Sequence, residues 1–245
     1  MSSHTAPSAA SPSGTLTVAF ALYPGCTLLD FAGATQIFAY APGFRTVWIA
    51  ATADPIHTTE GVSVLPNATF ADTPSADIVF VPGGGGDGVT AAMTEPHIQQ
   101  WLRTVAPNAR WAGSVCTGAF VVAAAGLFDE CTVTTYWSAR DALALFPQLK
   151  VVPGYPRWEI DGDRRRFSGG GISSSLDLAL ELVIRIAGPA AAQSTQLANQ
   201  YAPDPPLHSG DPTQASPELV ISTTQDQADM HTQLVAAVKA LTGSA

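Results

Sequence analysis

Arg110-Trp111-Ala112-Gly113-Ser114-Val115-Cys116-Thr117-Gly118-Ala119-Phe120-Val121-Val122-Ala123-Ala124-Ala125-Gly126 reads as a strand, a tight turn and an apolar helix closed by glycine. A residue on such a turn stands at a sheet edge, where a substrate can reach it. Here that residue is Cys116. It precedes a helix, whose unpaired N–H groups and positive dipole end favour a thiolate. Thiol pKa values at such places fall from about 8.5 into a range of about 3.5–7.5. Gly118 leaves room for the backbone to turn sharply. The alternative is a buried, inert cysteine at a strand end, since free Cys is among the most buried residue types. The flanking pattern favours a nucleophile at Cys116, whereas Cys26 and Cys131 lack it and read as structural.

Outward from this turn, strands alternate with helices. Leu16–Leu22 is an apolar run ended by Tyr23-Pro24-Gly25; Asp30 then precedes an expected helix over Phe31–Tyr40. Thr46–Ala50 and Asp77–Val81 are further core strands, and residues 55–70 alternate like a hairpin turning at Glu60-Gly61. A helix broken near Pro96 carries Ile98, Trp101, Leu102 and Val105. Short strands are predicted at 132–134, 151–152 and 157–160, and helices at 137–146, 173–187, 189–200 and about 222–241, the last after a Pro-rich stretch from Pro203 to Pro217. This order predicts a three-layer α/β sandwich with a mostly parallel, flavodoxin-like sheet and a cysteine nucleophile elbow.

Composition agrees with that fold and excludes several functions. Hydrophobic residues make up 46% of the 245 and charged residues 13%, ample for strands buried on both faces. A formal net charge of −9 disfavours a nucleic-acid partner, which needs clustered cations. The one basic run, Arg164-Arg165-Arg166, reads as a solvated hairpin tip. Three cysteines without C-x-x-C spacing point to a reducing compartment and a cytoplasmic protein. No stretch reaches the roughly 18 apolar residues of a membrane span. The Ser/Ala/Pro-rich residues 1–14 have no apolar core and read as a disordered leader. The five His residues show no metal-ligand spacing, so neither metal nor cofactor is expected.

Open α/β sheets bind ligands beyond the carboxyl ends of their strands. Three loops should meet there: the one bearing Asp30, the run Gly83–Gly86 and the Cys116 turn. Asp30 offers a carboxylate for proton transfer, although a helix N-cap is an equally good reading of it. N–H groups of the glycine run and of Thr117 would cradle developing negative charge.

Leu28-Leu29-Asp30-Phe31-Ala32-Gly33, Val81-Pro82-Gly83-Gly84, Ser114-Val115-Cys116-Thr117-Gly118-Ala119-Phe120 and Thr134-Thr135-Tyr136-Trp137 resemble the ThiJ/PfpI superfamily. The likeness continues through Ser168-Gly169-Gly170-Gly171-Ile172 and Tyr201-Ala202-Pro203-Asp204-Pro205-Pro206. It implies one domain over residues 15–220, with 221–245 a helical extension of it. Within the superfamily the chain is most similar to the isonitrile hydratase-like branch and to the sensor half of AraC-type regulators. An Asp at position 30 and a Thr at 117 match that branch; Tyr136 stands where it commonly has a histidine.

The resemblance implies an isonitrile substrate, Cys116, Asp30 and Thr117 as catalytic residues, and Gly83, Gly84, Gly170 and Ile172 around the substrate. Cys116 would form a thioimidate that water converts to an N-formamide, a reaction that suits a soft thiolate nucleophile. It also implies a homodimer. Leu234, Val235, Val238 and Leu241 on the last helix would face a partner or the chain's own sheet. Two other readings are a glyoxalase or deglycase, which normally needs a Glu and a His, and a non-enzymatic redox or ligand sensor using Cys116. An AraC-type regulator would need a DNA-reading domain beyond residue 220, where about 25 residues follow.

Overall fold

The computed structural model describes residues 14–243, so the expected leader lies outside the described residues except for Gly14. The main sheet consists of β1 (Leu16–Ala21), β2 (Phe44–Ala50), β5 (Ala68–Thr69), β6 (Ile78–Val81), β7 (Trp111–Ser114), β10 (Trp158–Asp161) and β11 (Arg166–Gly169), in spatial order β10-β11-β7-β6-β1-β2-β5. All neighbours are parallel except the antiparallel edge pair β10–β11. β1 and β6 are buried along their whole length, as near-continuous apolar runs must be when helices cover both faces.

From β1 the chain moves one way, through α1 (Leu28–Tyr40) to β2. From β6 it moves the other way, through α2 (Gly86–Ala92) and α3 (Pro96–Val105) to β7, then through α4 (Gly118–Ala124) towards β11. Right-handed crossovers in opposite directions put these helices on opposite faces. Accordingly α1 packs with α6 (Ser174–Ala187) and α7 (Pro189–Ala198), whereas α2, α3 and α4 pack together. The order reverses between β1 and β6, which opens a crevice at their carboxyl ends. There Cys26 and Gly84 form an isolated bridge between the two diverging loops.

Several elements differ from expectation. The hairpin at 55–70 shrinks to β3 (Ile56–His57) and β4 (Ser63–Val64), while β5 joins the main sheet. β8 (Thr132–Val133) and β9 (Lys150–Val151) pair only with each other. The predicted helix 137–146 is a 3₁₀ turn, Trp137–Ala139, followed by the short α5 (Arg140–Leu143). The last helix is two: α8 (Pro217–Asp226) and α9 (Ala228–Thr242), broken at Gln227 (φ −105°, ψ 6°). Leu234 and Val238 of α9 are fully buried, and α9 packs on α2 and α5, so this face covers its own chain. β11 was not foreseen, because Arg166-Phe167-Ser168-Gly169 carries a single large apolar residue. The arginine run does lie at the β10–β11 hairpin tip.

Candidate functional site

The strand β7 ends at Ser114, α4 begins at Gly118, and Cys116 between them has φ 55°. A left-handed conformation costs a non-glycine residue on the order of 1–3 kcal/mol and persists only where surroundings impose it. Here they do. The Cys116 N–H donates to Gly170 O (2.8 Å) and Gly169 O (3.1 Å), and its carbonyl accepts from Thr135 Oγ1 (2.8 Å). The sharp bend is thus made by Cys116 itself. Gly118 is needed for a different reason: a Cβ there would stand 2.5 Å from the carbonyl oxygens of both Val81 and Pro82.

Gly83 locates the centre of the site. A β-carbon at Gly83 would lie 2.7 Å from Cys116 Cβ, 2.8 Å from Asp30 Oδ2 and 2.8 Å from Thr117 N. Three segments far apart in sequence therefore converge on a backbone that has no side chain. Asp30 is the third residue of α1, not its N-cap; Thr27 occupies that position. The Asp30 carboxylate turns away from its own helix and accepts from Gly83 N at 2.7 Å. Its second oxygen, Oδ1, is buried with no hydrogen-bond partner. The N-cap reading of Asp30 therefore fails.

Burial dominates the electrostatics. It pushes the Asp30 carboxyl up to about 8, against the Gly83 N–H bond, with the nearby Glu60 charge adding to the rise. The Cys116 thiol is also raised well above its ordinary value, first by burial and then by Asp30, while the Thr117 N–H and hydroxyl oppose this. An acidic thiol, expected from the helix terminus, is not what the surroundings produce. Cys116 is 6% exposed rather than proud of the surface, so a thiolate there loses most of its hydration.

Three N–H groups of the glycine run are already committed and cannot cradle charge. Gly83 N is taken by Asp30, Gly84 N by Thr117 Oγ1 (2.9 Å) and Gly85 N by Gly25 O (3.1 Å). Thr117 Oγ1 in turn donates to Gly84 O at 2.9 Å, so this hydroxyl clips the cysteine turn to the glycine loop. The Thr117 N–H, directed at the cysteine sulfur, is the donor left to steady negative charge there.

Beside the turn lies a cleft of about 750 Å³. Gly170 and Thr135, which hold the Cys116 backbone, line it, as do Leu29 next to Asp30 and the half-exposed Ile172. Tyr136, Trp137 and Tyr155 form an aromatic wall, and residues of the Pro203–Ser216 stretch and of α8 form the opposite one. Of the expected site residues only Gly170 and Ile172 are in this lining; Cys116, Asp30, Thr117, Gly83 and Gly84 are not part of it. Arg157 in the lining is already engaged by Asp177 and by Ser173 Oγ. Tyr23, whose Oη donates to Pro82 O at 2.8 Å, and Gln227, which holds Tyr136 Oη at 2.7 Å, complete the site. Thr135, Tyr23 and Gln227 were not singled out from sequence; only Thr135 lay in a quoted motif. Among the described residues, no group of three His, Cys, Asp or Glu is placed to hold a metal ion.

Residues 16–153 match the model of the DJ-1/PfpI family. The chain is 35% identical to the isonitrile hydratase of Pseudomonas putida over 213 residues, covering 87% of this chain and 90% of that protein. It is 33% identical over 188 residues to the transcriptional regulator CdhR of Pseudomonas aeruginosa, spanning 74% of this chain and about half (53%) of the regulator. Among solved structures, a ThiJ/PfpI family protein from Pseudomonas syringae superposes with a TM-score of 0.85 at 30% identity, covering 92% of this chain and 91% of that one.

Proposed function

The chain belongs to the DJ-1/PfpI family, and from that premise we propose that it is an isonitrile hydratase with Cys116 as nucleophile and Asp30 as the proton carrier. The observation that carries this reading is the convergence of Cys116, Asp30 and Thr117 N on Gly83. A carboxyl raised to about 8 binds a proton strongly enough to take it from sulfur and deliver it to substrate. A thiol of raised pKa gives a more nucleophilic thiolate once its proton has gone.

The reactive form holds one proton between the pair; it rests on sulfur and passes to Asp30 as substrate arrives, so that Cys116 attacks as thiolate beside a carboxylic acid. Sγ bonds to the terminal carbon of R–N≡C while Asp30 delivers its proton to that carbon, leaving the thioimidate R–N=CH–S–Cys116 and a carboxylate. Asp30 then takes a proton from an incoming water, whose oxygen bonds to the carbon, and passes it to nitrogen. In the resulting R–NH–CH(OH)–S–Cys116 the hydroxyl proton returns to Asp30 as the C–S bond breaks. R–NH–CHO departs, and thiolate and acid are restored. Asp30 Oδ1, buried and unpartnered, is the oxygen available for these transfers. Thr117 serves as a positioning residue through its bonds to Gly84 and places its N–H beside the sulfur.

A cytoplasmic setting fits three cysteines that are all unpaired, and a homodimer fits the family. No helix among the described residues is long and apolar enough to cross a membrane. The test is incubation with cyclohexyl isonitrile while following N-cyclohexylformamide, with Cys116→Ala beside the wild type. Formamide from the wild type alone supports hydration. Conversion of methylglyoxal instead would favour the glyoxalase reading. Saturable binding of isonitrile with no turnover would favour a sensor, the reading that the likeness to CdhR supports.

A further inference from the structure

Resting on the hydration reading, we propose that Tyr136 sets which N-substituents reach Cys116, and that Gln227 is the positioning residue that holds its ring in place. Tyr136 lines the cleft together with Thr135 and Gly170, the two residues that hold the Cys116 backbone. The residue before it, Thr135, holds the Cys116 carbonyl at 2.8 Å. On the other side, a Cβ at Gly171 would stand 3.5 Å from Tyr136 Cδ2, and the neighbouring Gly170 holds the Cys116 N–H at 2.8 Å. Tyr136 thus adjoins both backbone segments that clamp the cysteine.

The ring is not free to swing aside. Tyr136 Oη accepts from Gln227 Nε2 at 2.7 Å, and Gln227 Oε1 accepts from Ser138 Oγ, so both ends of the Gln227 amide are committed. Gln227 sits at the break between α8 and α9, and α9 is anchored by the buried Leu234 and Val238. Elsewhere the cleft is lined by Trp137, Tyr155, Leu207 and Leu219 together with the polar Arg157 and Asp211. Selection falls to the ring held fixed next to the residues that clamp Cys116, where it opposes branching at the carbon that bears the isonitrile nitrogen.

n-Butyl and tert-butyl isonitrile have the same atoms and differ in branching at that carbon. Wild type, Tyr136→Ala, Tyr136→Phe and Gln227→Ala are compared by kcat/KM on both. The wild type is expected to prefer the linear isomer, and Tyr136→Ala to reduce that preference at least tenfold, chiefly through KM for the tert-butyl compound. Tyr136→Phe and Gln227→Ala each release the ring, so both fall between, and the double variant adds nothing further. A preference unchanged within twofold in Tyr136→Ala overturns the proposal.

If the wild type hydrates neither isomer, the hydration reading fails, but the steric claim is still measured. Alkylation of Cys116 by iodoacetamide and by N-tert-butyl iodoacetamide reports access without turnover. A gain of at least tenfold for the bulky reagent in Tyr136→Ala supports the ring as a gate. Equal relative rates in the two proteins reject it.

Discussion

The backbone N–H of Gly83 donates to Asp30 Oδ2 across 2.7 Å, joining the end of β6 to the first turn of α1 beside the cysteine. This bond fixes one oxygen of a buried carboxyl and leaves the other without a partner. A group so placed is poorly solvated when charged, and its proton affinity reports directly on the integrity of the site.

Asp30 should make folding less favourable as pH rises. Its carboxyl loses its proton near 3.8 in the unfolded chain and at about 8 in the folded protein. Between those values the folded state holds the additional proton, so stability falls as pH rises through the window. Asp30→Asn removes this dependence and keeps an acceptor for Gly83 N–H. Its melting temperature relative to wild type should climb between pH 5 and pH 8 by at least about 2–4 °C, the change that about 1 kcal/mol produces in a domain of this size. A parallel pair of melting curves would refute the raised carboxyl.

The same variant should lose turnover while folding well. An amide cannot relay protons, and general acid–base catalysis is worth about 10²–10⁴-fold. For the wild type, kcat/KM should rise through about pH 8, where the doubly protonated pair loses the proton that leaves one shared between Asp30 and Cys116. Near-normal turnover in Asp30→Asn would remove Asp30 from the mechanism.

Cys116 in the free protein should titrate well above the ordinary thiol range, because burial and then the Asp30 charge raise it. Its pH-dependent alkylation by iodoacetamide therefore has an alkaline midpoint, and that midpoint drops in Asp30→Asn, where the carboxylate is gone. A midpoint below pH 7 would restore the acidic thiol that its position before a helix suggests.

Gly83→Ala should disable the site. The added carbon would meet Cys116 Cβ at 2.7 Å, Asp30 Oδ2 at 2.8 Å and Thr117 N at 2.8 Å, and two of these belong to a backbone-clamped turn. Overpacking of this kind costs about 1–3 kcal/mol. A loss of formamide production of at least about 100-fold is expected, of the size a misplacement of about 1 Å produces. Full activity with an unchanged melting temperature would show that the loop yields freely.

Thr117→Val, which keeps shape and removes the hydroxyl, should reveal the clip to Gly84. Both Gly84 N and Gly84 O lose their partner in a buried place, at a cost of about 1–3 kcal/mol for an unsatisfied group. Thr117→Ser, which keeps the hydroxyl, should behave like wild type. Turnover in Thr117→Val should fall less than in Asp30→Asn, since its N–H survives. The reverse order would make the hydroxyl itself catalytic.

Local sequence was sufficient wherever one segment carries its own reason. Leu16–Ala21, apolar but for Thr17, and Ile78–Val81 are near-continuous apolar runs, so they are strands buried on both faces. Ser114 to Gly118 shows strand, turn and helix within a few residues, which placed Cys116 on its bend. Leu234 and Val238 repeat at helical spacing, which marked an amphipathic face without saying what covers it. β11 escaped notice because its burial comes from its neighbours in the sheet, not from its own composition.

The amino-acid order by itself determined the alternation of strands and helices, the position of Cys116 on a turn and the meeting of three loops at one sheet edge. Only the tertiary structure decided what those loops do to one another. It made Asp30 a partner of Gly83 N instead of a helix cap, consumed three glycine N–H groups, and set Gln227 against Tyr136. It also reversed the expected acidity of Cys116. The physical reason is that helix propensity and capping act over a few residues, whereas desolvation and hydrogen-bond assignment depend on every group brought near, whatever its place in the chain.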